Sequence, residues 1–264
     1  MQTQIVIQSM SIQRIAVLCV FICTLLALLI PSIGYSSEDA RNFLDGIREY
    51  RSGNYESAIK AFSKIAESGV QNGKLYYNLA NAHLKNDDIG QAMLWYERAL
   101  KLIPHDPDLK FNHKHALSLV KDERDEKNFP ILKVVFFWKH MLSKKTVKWI
   151  AIVLNLSFWV ILAFRTIRKK RRIFRSSLYF VLIPLLIFTS TAFYNYYENA
   201  FLKEAIILYK KVSVRSALSD GSTELFVLHS GTKVKIEKEK GDYFRIFFSE
   251  GKIGWLKKSD LGVI

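Results

Sequence analysis

Cysteine is nearly absent from this chain. The 264 residues hold two, Cys19 and Cys23, both inside an N-terminal apolar run. That excludes a disulfide framework and a cysteine-built zinc site. Histidine is sparse at six, and His113 and His115 stand two apart on a predicted helix, so they face different sides. No His-x-x-x-His pair or carboxylate cluster completes a metal site. The glycines mark turns, not a phosphate-cradling loop, and no Gly-x-Ser-x-Gly elbow is present. The sequence therefore predicts no enzyme, no cofactor and no metal. Acidic residues are also scarce, 24 against 39 lysines and arginines, for a formal net charge of +15. Such a balance points to nucleic acid or an acidic membrane surface, and the position of the charges must decide. Half the residues are hydrophobic, which excludes a disordered chain.

Three long runs lack charge altogether. The first, residues 15–30, comes after Arg14 and contains one polar residue, Thr24. Pro31 breaks it, and Gly34-Tyr35-Ser36 gives small-x-small before Ser37. This is the order of a secretory signal, with cleavage expected near Ser36; an uncleaved anchor is the alternative. Leu18 and Ile22 precede the cysteines where a lipoprotein needs a small residue. Residues 1–36 are thus read as a signal peptide, and the segment from Ser37 onward is expected outside the cytoplasm.

The next segment repeats itself at an interval of 34. Gly46 matches Ala80, Gly53 Asp87, Tyr55 Ile89, Ala58 Ala92, Phe62 Tyr96 and Ile65 Ala99. Small residues at matching places let two helices cross closely, and Tyr76, Leu79 and Tyr96 fill the space beside them. The pattern is similar to the tetratricopeptide repeat, a helix–turn–helix unit. Repeats are expected over about 39–72 and 73–106, within a domain spanning 37–128. Val70 replaces a closing proline in the first copy, and Asp45 stands where leucine is usual. A capping helix is expected over 108–126, with Phe111, Leu117 and Val120 as apolar points. Two repeats and a cap fall short of the three units a solenoid needs. The array is therefore expected to lean on a partner, a second copy or the membrane. Resemblance to this family implies ligand binding on the face of each first helix: Tyr50, Tyr77, Asn78, Asn81, Lys85 and Asn112. Phe43 and Ile47 occupy the places a carboxylate clamp needs for Lys and Asn, so a C-terminal carboxylate is not the expected ligand.

Residues 129–145 mix Phe136, Phe137 and Trp138 with Lys133 and Lys139 and read as an interfacial amphipathic segment. Transmembrane helices are expected at 146–164 and 176–197. The loop between, 165–175, holds seven arginines and lysines and is expected in the cytoplasm. Asn155 is the strongly polar residue in the middle of the first span, free to bond a neighbouring helix or to stand alone. No Asp, Glu, Lys or Arg interrupts either core, which argues against an ion pathway.

From residue 204 the period changes to short alternating stretches, punctuated by Ser219-Asp220-Gly221, Ser230-Gly231 and Lys240-Gly241-Asp242. This predicts a small antiparallel barrel over 204–264. Val214-Arg215-Ser216, Gly231-Thr232, Gly241-Asp242, Gly251 and Gly254-Trp255-Leu256 are similar to the bacterial SH3-like domain, although that family often has Trp where Tyr243 stands. The resemblance implies a surface at Arg215, Tyr243 and Trp255 for a wall or protein ligand. After Gly254 on a late strand, Trp255 is also a core position.

The fold class is accordingly a multidomain membrane protein: an all-α tetratricopeptide-repeat domain, two transmembrane helices and an all-β SH3-like barrel. The whole layout resembles the E-type family of the Bacteroides-aerotolerance (Bat) operons. That resemblance implies a non-enzymatic scaffold in the bacterial inner membrane, multi-pass, with both soluble domains extracytoplasmic. Its implied partners are von Willebrand A-domain proteins and a MoxR-type ATPase system. Peptidoglycan is the alternative ligand, for a wall-binding sensor. The charge fits this division. Residues 131–200 hold 12 basic and 1 acidic side chains, residues 37–130 hold 14 and 15, and residues 201–264 hold 12 and 8. Most of the +15 is membrane anchor facing the lipid bilayer, and nucleic acid is not an expected partner.

Overall fold

The structure, a computed structural model, describes residues 37–122, 138, 142–167, 174–201, 203–219, 221–249 and 251–264. The segment expected to be a signal, most of the segment expected at the interface and the centre of the basic loop lie outside the described residues. Five helices open the described chain: α1 Ser37–Arg51, α2 Tyr55–Glu67, α3 Gly73–Lys85, α4 Ile89–Leu102 and α5 Pro107–Ser118. Their ends reflect local chemistry. Asn72 accepts hydrogen bonds from the Lys74 and Leu75 amides at the start of α3. Asp106, 34 residues on, accepts from Leu109 N at the start of α5, where Pro107 stands in the first turn. Asp88 accepts from Gln91 N at the start of α4. The turns within the two pairs also match: Gly53 (φ 80°) and Asp87 (φ 57°) both adopt the left-handed conformation.

Packing explains the repeat of small residues. A Cβ on Gly46 would lie 2.5 Å from the Phe62 ring, so α1 and α2 cross where only glycine fits. Ala58, Ala80, Ala92 and Ala99 are fully buried, as is Tyr96. Val70, in place of the closing proline, joins the core of the first pair with Phe62, Leu75 and Leu79. Each large buried side chain contributes about 1.5–3 kcal/mol. The cap differs from expectation. Its helix runs to Ser118, and residues 123–126 of the expected cap lie outside the described residues. Its buried residues are Leu109 and Ala116, while Phe111 and Leu117 are 75% and 49% exposed. The described chain supplies no second helix to close a third pair over α5, so side chains that would face one stay at the surface.

Two helices, α6 Lys144–Ile167 and α7 Phe174–Phe201, come next. Residues Lys144–Leu162 and Phe180–Tyr197 have mean hydropathies of 1.5 and 1.3, long and apolar enough to cross a membrane. Their hydroxyls bond back within the helix, Ser157 Oγ to Val153 O at 2.8 Å and Thr191 Oγ1 to Ile187 O at 2.7 Å. Such bonding suits a helix with no water beside it. Asn155 is exposed. The buried amide is Asn195, on α7. α6 and α7 up to Asn195 form one compact unit, and α1–α5 with the strands form another.

The strands are β1 Glu204–Ile207, β2 Lys211–Arg215, β3 Glu224–His229, β4 Lys233–Lys240, β5 Tyr243–Ser249, β6 Lys252–Lys257 and β7 Leu261–Val263. They form one antiparallel sheet in the order β3-β2-β6-β5-β4-β1-β7. Alternation places Val212, Val214, Val234, Phe244, Ile246, Phe248 and Leu256 in its core. Register shifts at Val214/Arg215, Ile236/Lys238 and Phe247/Ser249 bend it around that core. The three residues of β7 are too few to show alternation in the sequence.

The support expected for the repeat region from a partner, a second copy or the bilayer comes from within the chain, from this sheet. One face of α4 presents Gly90, Met93, Leu94, Glu97, Arg98 and Lys101 at helical spacing. A Cβ on Gly90 would lie 2.4 Å from Leu208 O, and one on Gly262 would lie 2.4 Å from Leu94 Cδ2. Two glycines therefore bring backbone against neighbour on opposite sides of the contact. Ile206, fully buried, belongs to the core shared by Ala92, Met93 and Leu94. Arg98 Nη2 donates to Val263 O at 2.7 Å and Lys101 Nζ to Ile264 O at 2.9 Å.

Candidate binding surfaces

The helix pairs line up α1, α3 and α5, and their matching positions define one face. Of the residues expected there, the structure brings Tyr77, Asn81 and Asn112 together. Asn112 Nδ2 donates to Tyr77 Oη at 2.9 Å and to Asn81 Oδ1 at 3.0 Å. Tyr96 Oη, from the core, donates to the same Asn81 oxygen at 2.5 Å. Burial pushes the Tyr96 hydroxyl far above its ordinary pKa, with Tyr77 and Tyr50 nearby adding to the effect. Tyr50 is raised mainly by burial and by the neighbouring Tyr55, whose ring lies 5.5 Å away. Two of the asparagines expected to hold a peptide thus already serve the fold. Asn78 is half-buried and Lys85 exposed, and neither joins this network.

Sequence reasoning missed the apolar part of this face. Phe43, Tyr77 and Phe111 are 34 apart, as are Leu44, Asn78 and Asn112, and Lys85 and Leu119. Phe111, Leu44 and Leu119 are 75%, 66% and 44% exposed. The repeat interval itself is the signal that finds them, since it aligns Phe111 with Tyr77 of the expected face.

The second surface lies on the sheet. Tyr209, Lys211, Val212, Ser213, Arg215, Tyr243, Trp255, Leu256, Lys257 and Asp260 line a cleft of about 510 Å³. All three residues expected on this domain, Arg215, Tyr243 and Trp255, converge there. Trp255 is half-buried in the cleft wall, not in the core. Strand pairing explains the opening. Strands β2 and β6 pair only at Arg215↔Trp255, whereas β5 and β6 pair along their length. The ladder between β2 and β6 does not extend beyond that pair. Arg215 Nη1 donates to Ser222 O at 2.8 Å, which fixes its guanidinium at the closed end.

Between repeat and sheet lies a group of charges that sequence did not foretell. Glu97 Oε2 is 3.0 Å from Lys233 Nζ, and Oε1 is 3.1 Å from His113 Nε2. Lys233 also reaches Glu204 at 2.9 Å. Burial acts to raise the Glu97 pKa, but His113 and Lys233 outweigh it and hold the carboxyl at about 2. Asp122 accepts from His229 N and Thr232 Oγ1, both at 2.7 Å. Burial acts to raise its pKa as well, and these bonds with the His229 ring bring it below the ordinary value. The expected separation of His113 and His115 holds a different consequence: His113 serves this contact. Among the described residues no group of three metal-ligating side chains gathers.

A family model of the tetratricopeptide repeat matches residues 73–106, the α3–α4 pair. The chain therefore contains a tetratricopeptide repeat, a module that holds other proteins. The first pair and the cap repeat its geometry.

Proposed function

We propose that the protein is a non-enzymatic, membrane-anchored scaffold that binds envelope proteins through its repeat face and its SH3-like sheet domain. The observation that carries this reading is the docking of α4 on the sheet, which makes the two modules one body with two separate faces left uncovered. The same docking supports the topology. Two modules in contact lie on one side of a bilayer, so the chain between them crosses an even number of times. Helices α6 and α7 supply two crossings, and the cationic 165–175 loop favours the cytoplasm. Both modules are then extracytoplasmic, with residues 1–36 as the export signal. An aerotolerance-type complex with von Willebrand A-domain proteins and a MoxR-type ATPase is the assembly that the layout favours. A photo-cross-linking residue at Phe111 in cells, with identification of the adducts, tests the reading. Adducts with von Willebrand A-domain membrane proteins are expected; absence of any protein adduct overturns it.

One observation favours a second reading. Exposed Tyr209 and half-buried Trp255 in one cleft give faces on which sugar rings stack, as a wall-binding sensor needs. Sedimentation of the purified chain with peptidoglycan, lost in Tyr209→Ala, is its test.

A further inference from the structure

We propose that the cleft between β2 and β6 takes an extended peptide segment rich in carboxylates, supplied by a protein partner. The inference rests on the scaffold reading and names the ligand of its second face. Shape is the first argument. The β2–β6 ladder has the single pair Arg215↔Trp255, so along Lys211–Ser213 the side of β2 turned from β3 has no ladder partner among the described strands. An opening of about 510 Å³ beside that unpaired stretch suits a short extended chain, which can meet the free strand backbone.

Charge is the second argument. Among the described residues, Lys211, Arg215 and Lys257 line the cleft against one carboxylate, Asp260. Lys211 is exposed at the open end, and Arg215, at the Trp255 end, donates from its guanidinium to the Ser222 carbonyl. An acidic segment lying along β2 would therefore meet a cation at each end of its path. The aromatic residues supply the rest. Tyr209 is 57% exposed, and with Tyr243 and Trp255 it offers apolar faces for the side chains between the carboxylates.

Access is the third argument. The contact with the repeat uses Ile206, Leu208, His229, Gly231, Thr232, Lys233 and Gly262 to Ile264. None of these lines the cleft. The sheet domain can thus hold a ligand while remaining docked on α4.

The test uses the full chain in detergent and fluorescence anisotropy. The probes are a fluorescein-labelled hexapeptide of alternating glutamate and valine, its glutamine counterpart, and soluble peptidoglycan fragments as competitor. The acidic peptide is expected to bind at least tenfold more tightly than the neutral one, with affinity falling as salt rises. Lys211→Glu with Tyr209→Ala should weaken it at least tenfold, while Lys60→Glu on α2 makes the same charge change and leaves it unaltered. Both variants should melt as the parent does, since the altered side chains are exposed. Equal binding of the two peptides, or full binding by the double variant, overturns the proposal. So does displacement by peptidoglycan fragments that themselves bind more tightly than the peptide, which assigns the cleft to glycan. Loss of this binding with Phe111 adducts intact sinks the cleft assignment alone; loss of the adducts sinks the scaffold reading.

Discussion

Lys233 on β4 and Glu97 on α4 join across the repeat–sheet contact at 3.0 Å, 136 residues apart in sequence. Glu97 is only 14% exposed, and Lys233 also holds Glu204. Removing the cation leaves a nearly buried carboxylate with His113 as its remaining partner, and breaking such a buried pair costs about 3 kcal/mol. Lys233→Met should therefore destabilise strongly, and adding Glu97→Gln should restore part of the loss. Chemical denaturation of the parent, the single variants and the double variant measures this. A double variant as unstable as the sum of the single ones would show that the pair does not couple.

Acid should loosen the same contact. The Glu97 carboxyl lies at about 2 in the folded chain against an ordinary 4.5, and Asp122 is also depressed. Both anions favour the folded form. Their stabilisation is complete above the ordinary carboxylate values and is lost as pH falls toward the folded ones. For Glu97 the loss between pH 4.5 and 2 is roughly 3 kcal/mol. Unfolding midpoints measured from pH 7 to 2.5 should drop steeply below 4.5, and Glu97→Gln should flatten that drop. An unchanged slope in the variant would remove Glu97 from the account.

Gly90 tests the docking through shape instead of charge. An added Cβ meets backbone, Leu208 O, at 2.4 Å, and backbone cannot turn aside as a flexible side chain does. Gly90→Ala should cost roughly 1–3 kcal/mol or more, despite the higher helix propensity of alanine. Hydrogen exchange should show lost protection in both α4 and β1. Protection lost in α4 alone would mean that the helix, not the contact, was damaged.

On the repeat face, stability and binding should separate. Asn81→Ala leaves the buried Tyr96 hydroxyl without its acceptor, which costs about 1–3 kcal/mol. Phe111→Ala removes an exposed ring and should change stability by less than about 0.5 kcal/mol. It should nonetheless abolish partner capture in pull-downs from detergent-solubilised membranes. Retained capture would place the binding surface elsewhere.

The sequence made the elements legible and left their assembly hidden. The interval of 34 is a local, repeated signal, and Gly46, Ala58, Ala80 and Ala92 stand buried where it places them. Alternation likewise exposes the sheet core at Val212, Val214, Phe244 and Ile246. The contact between α4 and the sheet gives no such signal. It depends on Gly90 meeting Leu208 and Leu94 meeting Gly262, pairs more than 100 residues apart that obey no period. The same limit explains Phe111 and Trp255. An apolar residue on an amphipathic element carries no local mark of core or surface: Phe111 stays outward where the described residues supply no neighbouring helix, and Trp255 lines a cleft where a strand ladder stops.

Cysteine labelling in intact cells tests the central claim most directly. Starting from a chain in which Cys19 and Cys23 are alanine, single cysteines replace Gly53 in the repeat, Ser219 in the sheet and Lys170 in the basic loop. A membrane-impermeant maleimide should label Gly53→Cys and Ser219→Cys in intact cells, and Lys170→Cys only after the membrane is opened. Labelling of the repeat and sheet positions from opposite sides would contradict the account, because modules docked through Glu97 and Lys233 cannot be parted by a bilayer.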